Sequence, residues 1–132
     1  MAYGTIAADY VQSSTANTAP VFRDGNSAEI GRLTKASVSY DGSAVSTRAS
    51  FNISSVSKTG TGNYSFTFTT SFPDTGYSAG GSVNMYTGGY ISAVVTTTVP
   101  TISTSSITLS AINYISGGSY YDASYFLASF NR

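Results

Sequence analysis

The carboxylates are the residues of this sequence best suited to acid–base chemistry, because its 132 residues include no histidine. General acid–base catalysis usually relies on histidine or on a carboxylate with a shifted pKa. Asp24, Asp41 and Asp74 stand in turn sequences, where such a side chain caps nearby backbone N–H groups. A glycoside hydrolase needs two carboxylates about 5–10 Å apart in a cleft, and so few acids give that activity little support. We therefore predict no catalytic residues among the six acids, which are Asp9, Asp24, Glu29, Asp41, Asp74 and Asp122.

Metal, nucleophile and phosphate sites find equally little support in the sequence. Cysteine and histidine, the usual zinc ligands, are both absent, and no stretch matches an EF-hand calcium loop. Serine and threonine are plentiful, but no histidine is present to activate them as nucleophiles. Gly60 and Gly62 do not begin a G-x-G-x-x-G sequence, and no P-loop lysine follows them. We predict no metal, no cofactor and no enzymatic activity.

The charge of the chain is low and balanced, with six basic and six acidic residues. So few cations, spread along the chain, do not form the basic patch that binds nucleic acid. Binding to an anionic membrane surface is disfavoured for the same reason. The sequence contains no run of about 18 apolar residues of the kind that predicts a membrane-spanning helix. A neutral surface opposes association only weakly, which favours stable contacts with other protein chains.

Tyrosine is the unusual component, with eleven residues in a chain that has no tryptophan. Tyrosine offers a wide apolar ring and a hydroxyl at a modest entropy cost, which suits binding surfaces. Five tyrosines in or beside glycine-rich stretches are the predicted receptor-binding residues, placed to stack against sugar rings. These five are Tyr77, Tyr86, Tyr90, Tyr120 and Tyr121. The alternative is that their rings fill the edges of the core or a subunit interface.

The alternation of side chains predicts β-strands. Good helix formers are scarce, whereas hydroxyl, β-branched and aromatic residues dominate. From Tyr64 to Thr69 aromatic and hydroxyl residues alternate, which is typical of a half-buried strand, and Ile107 to Ala111 repeats this pattern. In the last strand Phe126, Ala128 and Phe130 share one face, and Tyr125 and Leu127 share the other. We expect both faces to be buried, so we place this strand centrally or at a subunit contact.

Turn sequences separate these runs and predict about seven to nine short strands, typical of a sandwich or a barrel. Examples are Asp24-Gly25, Asp41-Gly42 and Gly60 to Asn63. We predict an all-β fold, an antiparallel, jelly-roll-like β-sandwich with an extended N-terminal arm. Residues 1–35 would form the arm and a small hairpin with strands in Val21–Asn26 and Glu29–Leu33, and residues 36–132 the sandwich domain.

The central part of the chain resembles the C-terminal domain of many phage tail fibres, particularly those of cyanophages and related marine phages. Weaker similarity lies at the two ends, where the chain closes on an aromatic residue and a terminal arginine and begins like short phage structural proteins. The segments that carry the resemblance are Arg48–Val56, Thr59–Tyr64, Phe66, Phe68, Thr69–Thr70, Phe72–Tyr77, Asp122–Ser124, Phe130–Arg132, Ala2–Ile6, Pro20–Asp24 and Glu29–Gly31.

This resemblance implies a virion protein with a β-sandwich-like domain, usually a homotrimer at a fibre tip, and it implies no catalytic residues. We expect a trimeric short tail-fibre or fibre-tip module that contributes to recognition of host-surface polysaccharide and lies on the outside of the virion, at the tail or the capsid. Its polar first 18 residues would dock onto other virion proteins. The alternatives are a capsid decoration or cement protein and, with less support, a carbohydrate-degrading tailspike module.

Overall fold

The computed structural model describes residues 21–84, 91–95, 101–113 and 119–132, and these residues form strands and turns without a helix. No described segment is therefore a helix of the length and apolarity that crossing a membrane requires. The predicted N-terminal arm lies outside the described residues. The strands, in chain order, are β1 (Val21–Arg23), β2 (Glu29–Arg32), β3 (Thr34–Asp41), β4 (Ser46–Phe51), β5 (Ile53–Gly60), β6 (Asn63–Phe68), β7 (Ser78–Asn84), β8 (Ile91–Val95), β9 (Ser106–Asn113), β10 (Ser119–Tyr120) and β11 (Tyr125–Asn131).

The hydrogen-bonded order of the strands is β4-β3-β11-β7-β8-β9-β6-β5, with β10 beside β9, and β1 and β2 form a separate hairpin. All the pairings are antiparallel. Strands β7, β8 and β9 follow one another as neighbours, and the preceding strand β6 pairs with the far side of β9. This arrangement is a Greek key, a connection found in most β-sandwiches.

The hydrogen-bonded sheet folds over so that its two halves face each other as layers. Strands β4, β3, β11 and β7 form one layer, and β8, β9, β6 and β5 form the other. The ring of Tyr64 on β6 lies 5.2 Å from that of Phe126 on β11, although three strands separate β6 from β11 in the hydrogen-bonded order. Phe66 and Phe68 of β6 likewise contact Phe130 of β11, at centroid distances of 6.2 and 5.2 Å. The buried faces of the two layers therefore form one aromatic core, and the predicted antiparallel β-sandwich is confirmed.

Strand β11 lies at the centre of its layer, between β3 and β7, which is one of the two placements that the sequence indicated. Its inner side chains, Phe126, Ala128 and Phe130, are buried in the core. Its outer side chains, Tyr125 and Leu127, are 45% and 43% exposed. The expectation that both faces of this strand are buried is thus wrong within the single chain, because no layer of the described chain covers the outer face.

A sharp corner at Asn52 carries the chain from β4 in one layer to β5 in the other. Asn52 adopts a positive φ of 55°, a conformation that asparagine tolerates better than most residues. Its side-chain amide donates to the carbonyls of Lys35 and Thr70, at 3.1 and 3.0 Å, and accepts from the Thr70 N–H at 2.7 Å. The backbone carbonyl of Asn52 also accepts from Thr69 N–H at 3.2 Å. The corner is therefore fixed to both layers.

The predicted N-terminal hairpin is present, with shorter strands than the sequence indicated. Val21 pairs with Arg32 and Phe22 with Gly31, and a bulge follows at Arg23. The Asp24 carboxylate closes the turn by accepting the N–H groups of Asn26 and Ala28, both at 2.9 Å. These bonds end β1 at Arg23, three residues before the predicted end of the strand.

Candidate functional site

Tyr77, one of the five predicted receptor-binding residues, belongs to the core. Its ring is 8% exposed and stacks on Phe72 with 4.3 Å between the centroids. Its hydroxyl donates to the carbonyls of Ser103 and Ser106, at 3.0 and 3.2 Å. The placement of Tyr77 on a sugar-binding surface is therefore corrected, because the turn that precedes it folds back over the end of the core instead of projecting outwards.

The other four tyrosines of the predicted set divide into two pairs. Tyr86 and Tyr90 lie outside the described residues. Tyr120, on β10, is 42% exposed. Tyr121 is half-buried against the core, and within the described part of the chain its buried hydroxyl has no hydrogen-bond partner. Of the five candidates, the structure thus places the Tyr120 ring at the surface and the adjacent Tyr121 partly against the core.

The segment that carries these two tyrosines is fastened to the sandwich by Asp122, to which the sequence analysis gave no role. The Asp122 carboxylate accepts the Gly62 N–H at 2.9 Å and the Tyr64 hydroxyl at 3.0 Å through Oδ1. Its Oδ2 accepts from the Lys58 ammonium at 2.6 Å. One side chain therefore joins the segment to β5, to β6 and to the turn between them.

Backbone contacts on both sides of Asp122 tighten this attachment. Tyr121 N–H donates to the Ala111 carbonyl at 3.3 Å, and Gly42 N–H donates to the Ala123 carbonyl at 2.8 Å. A Cβ on Gly42 would lie 2.0 Å from the Tyr64 hydroxyl oxygen, so only glycine fits at this approach. Gly62 has a φ of 67°, and a Cβ there would lie 2.7 Å from the Tyr121 carbonyl oxygen. Both glycines are thus required by the close packing of this segment.

The electrostatics of this cluster keep Asp122 ionised and Tyr64 neutral. Burial on its own would raise the pKa of the Asp122 carboxyl, but hydrogen bonds from Gly62, Lys58 and Tyr64 outweigh burial and hold this pKa below its ordinary value. Burial, together with the neighbouring Asp122 carboxylate, raises the pKa of the Tyr64 hydroxyl above its ordinary value. The hydroxyl therefore remains a donor and the carboxylate an acceptor across the neutral pH range.

The turn carboxylates also serve the backbone, as the sequence predicted. Asp41 Oδ1 accepts the N–H groups of Ser43 and Ala44, and Asp74 Oδ1 accepts that of Gly76. The Ala44 N–H and the Ser43 hydroxyl, followed by other contacts, hold the pKa of Asp41 below its ordinary value. Asp41 also forms an ion pair with Arg48, and Asp74 one with Arg132. These carboxylates are acceptors that hold turns and ends in place.

The four aspartates Asp24, Asp41, Asp74 and Asp122 each accept at least one backbone N–H in the described structure. Within the described ranges, no three histidine, cysteine or acidic side chains come together as metal ligands.

The segment around Tyr120 presents an exposed aromatic ring on a fixed backbone. The pairing of β10 with β9 holds this backbone on one side of Tyr120, and the contacts of Asp122 hold it on the other. Binding through this ring therefore needs no ordering of the backbone that carries it.

The fold and these contacts define the class of protein as an antiparallel β-sandwich whose described aspartates fasten its turns and loops. Comparisons of the chain with protein-family models, with curated proteins and with solved structures give no match.

Proposed function

We propose that this chain is a phage virion structural protein, a trimeric short tail-fibre or fibre-tip module that contributes to recognition of host-surface glycans. The resemblance of the segment from Arg48 to Tyr77 to the C-terminal domains of phage tail fibres is the starting point. The module would lie on the outside of the virion and dock onto other virion proteins through its first 18 residues. It would act by binding and not by catalysis.

The observation that carries the proposal is that the residues of this resemblance coincide with those that hold the sandwich together. Asn52 forms the corner between the layers. Phe68 and Phe72 pack edge to face at 4.8 Å, and Tyr77 stacks on Phe72. Such residues fix the fold, so a resemblance that runs through this segment supports a shared scaffold.

The surface chemistry supports a binding role for that scaffold. Tyr120 is an exposed ring on β10, which is paired with Ile112 and Asn113 of β9 and followed directly by the segment that Asp122 fastens. A tyrosine ring provides an apolar face for the C–H groups of a sugar and a hydroxyl for its polar edge. We propose Tyr120 as the residue of the predicted set that contacts the glycan.

Binding of the fluorescently labelled chain to intact bacterial cells, and to their isolated surface polysaccharides, tests the proposal. We expect saturable binding to a subset of the cells and to the matching polysaccharide. Tyr120→Ala should weaken this binding by about tenfold or more, as loss of an aromatic contact at a binding centre does. Phe22→Ala is the control, since Phe22 is an exposed ring on the separate hairpin.

The results of these binding measurements distinguish a receptor-binding fibre module from a capsid decoration protein. Binding that falls with Tyr120→Ala and not with Phe22→Ala supports the fibre module and identifies its contact face. Equal binding by the two variants overturns the assignment of Tyr120. A folded chain that binds no cells and no polysaccharide overturns the receptor role and favours the capsid decoration protein. Gold-labelled antibodies against the chain then show whether it lies on the tail or on the capsid of phage particles. Phage particles that carry no label contradict the proposal that the chain is a virion protein.

A further inference from the structure

One outer face of the sandwich combines exposed aromatic and aliphatic side chains with small residues. This face is the outer surface of strands β4, β3, β11 and β7, and we call it the β11 face. Phe51, Tyr125 and Leu127 lie on it and are 60%, 45% and 43% exposed. The strand register places Phe51 opposite Ser37, and Leu127 opposite both Ser39 on β3 and Ser82 on β7. These large apolar side chains are thus flanked by small residues on the neighbouring strands.

A shallow groove runs beside Leu127 on the β11 face. It encloses about 350 Å³ and is lined by Gly80, Gly81, Ser82, Leu127, Ala128 and Ser129. A Cβ on Gly81 would lie 2.3 Å from the Leu127 carbonyl oxygen, so the sheet itself requires that glycine. A Cβ on Gly80 would meet only the Ser129 hydroxyl oxygen, at 3.9 Å, so packing within the chain leaves room for a side chain. Glycine at this position keeps the groove open.

The outer face of the opposite layer has a different composition in its two described central strands. Ser65 and Thr67 on β6 alternate with buried aromatic residues and point outwards, and on β9 Ser106 and Thr108 alternate in the same way with the buried Ile107 and Leu109. Hydroxyl side chains suit a solvated sheet face. Leu127 lies at the centre of the β11 face, whereas Thr108 and Ser65 lie at comparable central positions of the other layer.

The free edges of the sandwich are less suited to association than this face. Strand β5 ends one side of the hydrogen-bonded order, and its pairing with β6 shifts register twice, between Ile53 and Ser55 and between Lys58 and Gly60. The pairing of the other edge strand, β4, shifts where β3 passes from Ser39 to Tyr40. Bulges of this kind disturb the regular ladder that a further strand needs.

We propose that the β11 face is where copies of this chain contact each other, with Leu127 of one copy seated in the groove beside Gly80 of the next. The face provides two different patches, the projecting Leu127 and the groove beside Gly80, so each copy can seat its Leu127 in the groove of the next around a closed ring of three. Its sequence pattern, apolar on both sides of β11, is that of a strand with two covered faces. This inference deepens the proposed function, from which it takes only the self-association.

The charges favour a second copy as the occupant. The chain has a formal net charge of zero, so copies do not repel each other. The guanidinium of Arg48 lies 4.3 Å from the centre of the Tyr125 ring and forms an ion pair with Asp41. The positive charge beside the face is thus neutralised within the chain. Arginine and tyrosine are enriched at the centres of protein interfaces.

The area of the face sets the expected strength of the contact. Four strands spaced about 4.8 Å apart and about seven residues long present roughly 450 Å² of sheet. A contact between two such faces therefore buries at most about 900 Å² in total, below the roughly 1,200 Å² at which stable specific interfaces begin. We therefore expect association at micromolar concentrations of the chain, and not an assembly that persists at nanomolar dilution.

Sedimentation velocity over a concentration series tests the proposal with one charged substitution and a matched control. Leu127→Asp places a carboxylate on the β11 face, whereas Ile102→Asp places it on a residue of similar exposure, 39%, outside strands β4, β3, β11 and β7. We expect the unaltered chain and Ile102→Asp to associate, and Leu127→Asp to need at least tenfold more protein. A chain that stays monomeric at high micromolar concentration, or equal effects of the two substitutions, would overturn the proposal.

Single cysteines give a second test that leaves the fold undisturbed, since the chain has no cysteine of its own. Ser129→Cys lies on the β11 face, and Ser65→Cys is an equally half-buried position on the opposite face. We expect mild oxidation to cross-link copies through Cys at position 129 faster than at position 65. The reverse order contradicts the proposal even if Leu127→Asp fails to fold. Failure here leaves the cell-binding assay untouched, so the two proposals are distinguishable.

Discussion

Removal of the Asp122 carboxylate should destabilise the fold far more than removal of a carboxylate from an exposed turn. In Asp122→Ala the Tyr64 hydroxyl, on a fully buried residue, and the Gly62 N–H both lose their acceptor. Each donor left without a partner costs about 1–3 kcal/mol. The partly exposed pair with Lys58 adds at most about 1 kcal/mol. The expected loss in the free energy of unfolding is about 4 kcal/mol.

Urea unfolding, followed by circular dichroism, measures this loss. For a domain of this size the free energy falls by about 2 kcal/mol per molar urea, so the midpoint should move down by about 2 M. Asp122→Asn keeps an acceptor of the same shape and loses the charge, so about 1–2 kcal/mol is expected. Asp24→Ala is the control, because Asp24 accepts two N–H groups in an exposed turn, and a cap of this kind contributes about 1 kcal/mol.

The acid dependence of stability gives a second measure of the same contact. The folded pKa of Asp122 lies below its ordinary value, so the unfolded chain takes up the proton first as the pH falls. The stability that the carboxylate contributes is therefore complete above about pH 5 and declines as the pH falls towards the folded pKa. The Asn variant should lack this component. Equal midpoints for Asp122→Ala and Asp24→Ala would refute the reasoning, since they would mean that the buried donors find other acceptors.

Two further predictions concern the corner at Asn52 and the buried hydroxyl of Tyr77. Asn52→Gly keeps the positive φ and loses three side-chain hydrogen bonds, so we expect a loss of about 2–3 kcal/mol in urea unfolding, with Asn52→Ala losing about 1 kcal/mol more through backbone strain. An unchanged midpoint for the glycine variant would contradict the role of the amide. Burial raises the pKa of Tyr77 to about 12 from an ordinary value of 10.0, so its contribution to stability is complete below about pH 10 and about 2–3 kcal/mol is lost as the pH rises to about 12. Unfolding at several alkaline pH values should show the difference between the unaltered chain and Tyr77→Phe shrinking over this interval, and a constant difference would count against the assignment.

Local patterns predicted the strands and the turn carboxylates because the cause of each lies within a few residues. Alternation from Tyr64 to Phe68 fixes which side chains face the core, and Asp24 binds N–H groups two and four residues ahead. Tyr77 was placed wrongly because its hydroxyl partners, Ser103 and Ser106, lie on a distant segment that no local pattern indicates.

Asp122 shows the same limit from the other side. Its three partners, Lys58, Gly62 and Tyr64, come about sixty residues earlier in the chain, and no turn sequence surrounds Asp122. The one local signal is Gly62, whose positive φ and crowded surroundings mark a close approach of backbone to backbone. A glycine in a turn next to a core strand thus indicates that another segment packs closely there, but it does not indicate which segment.

The last strand shows how a wrong expectation carries information. Alternation assigned apolar residues to both faces of β11, and the single chain buries only the face of Phe126 and Phe130. Apolar residues on a strand face indicate that the face is removed from water, but they do not indicate which chain covers it. Burial by a neighbouring copy removes apolar surface from water as effectively as burial by the same chain. In the single chain Leu127 and Tyr125 stay 43% and 45% exposed, so their sequence pattern is not matched by burial within the chain. This difference between the pattern and the structure of one chain is the observation behind our proposal that copies meet through the β11 face.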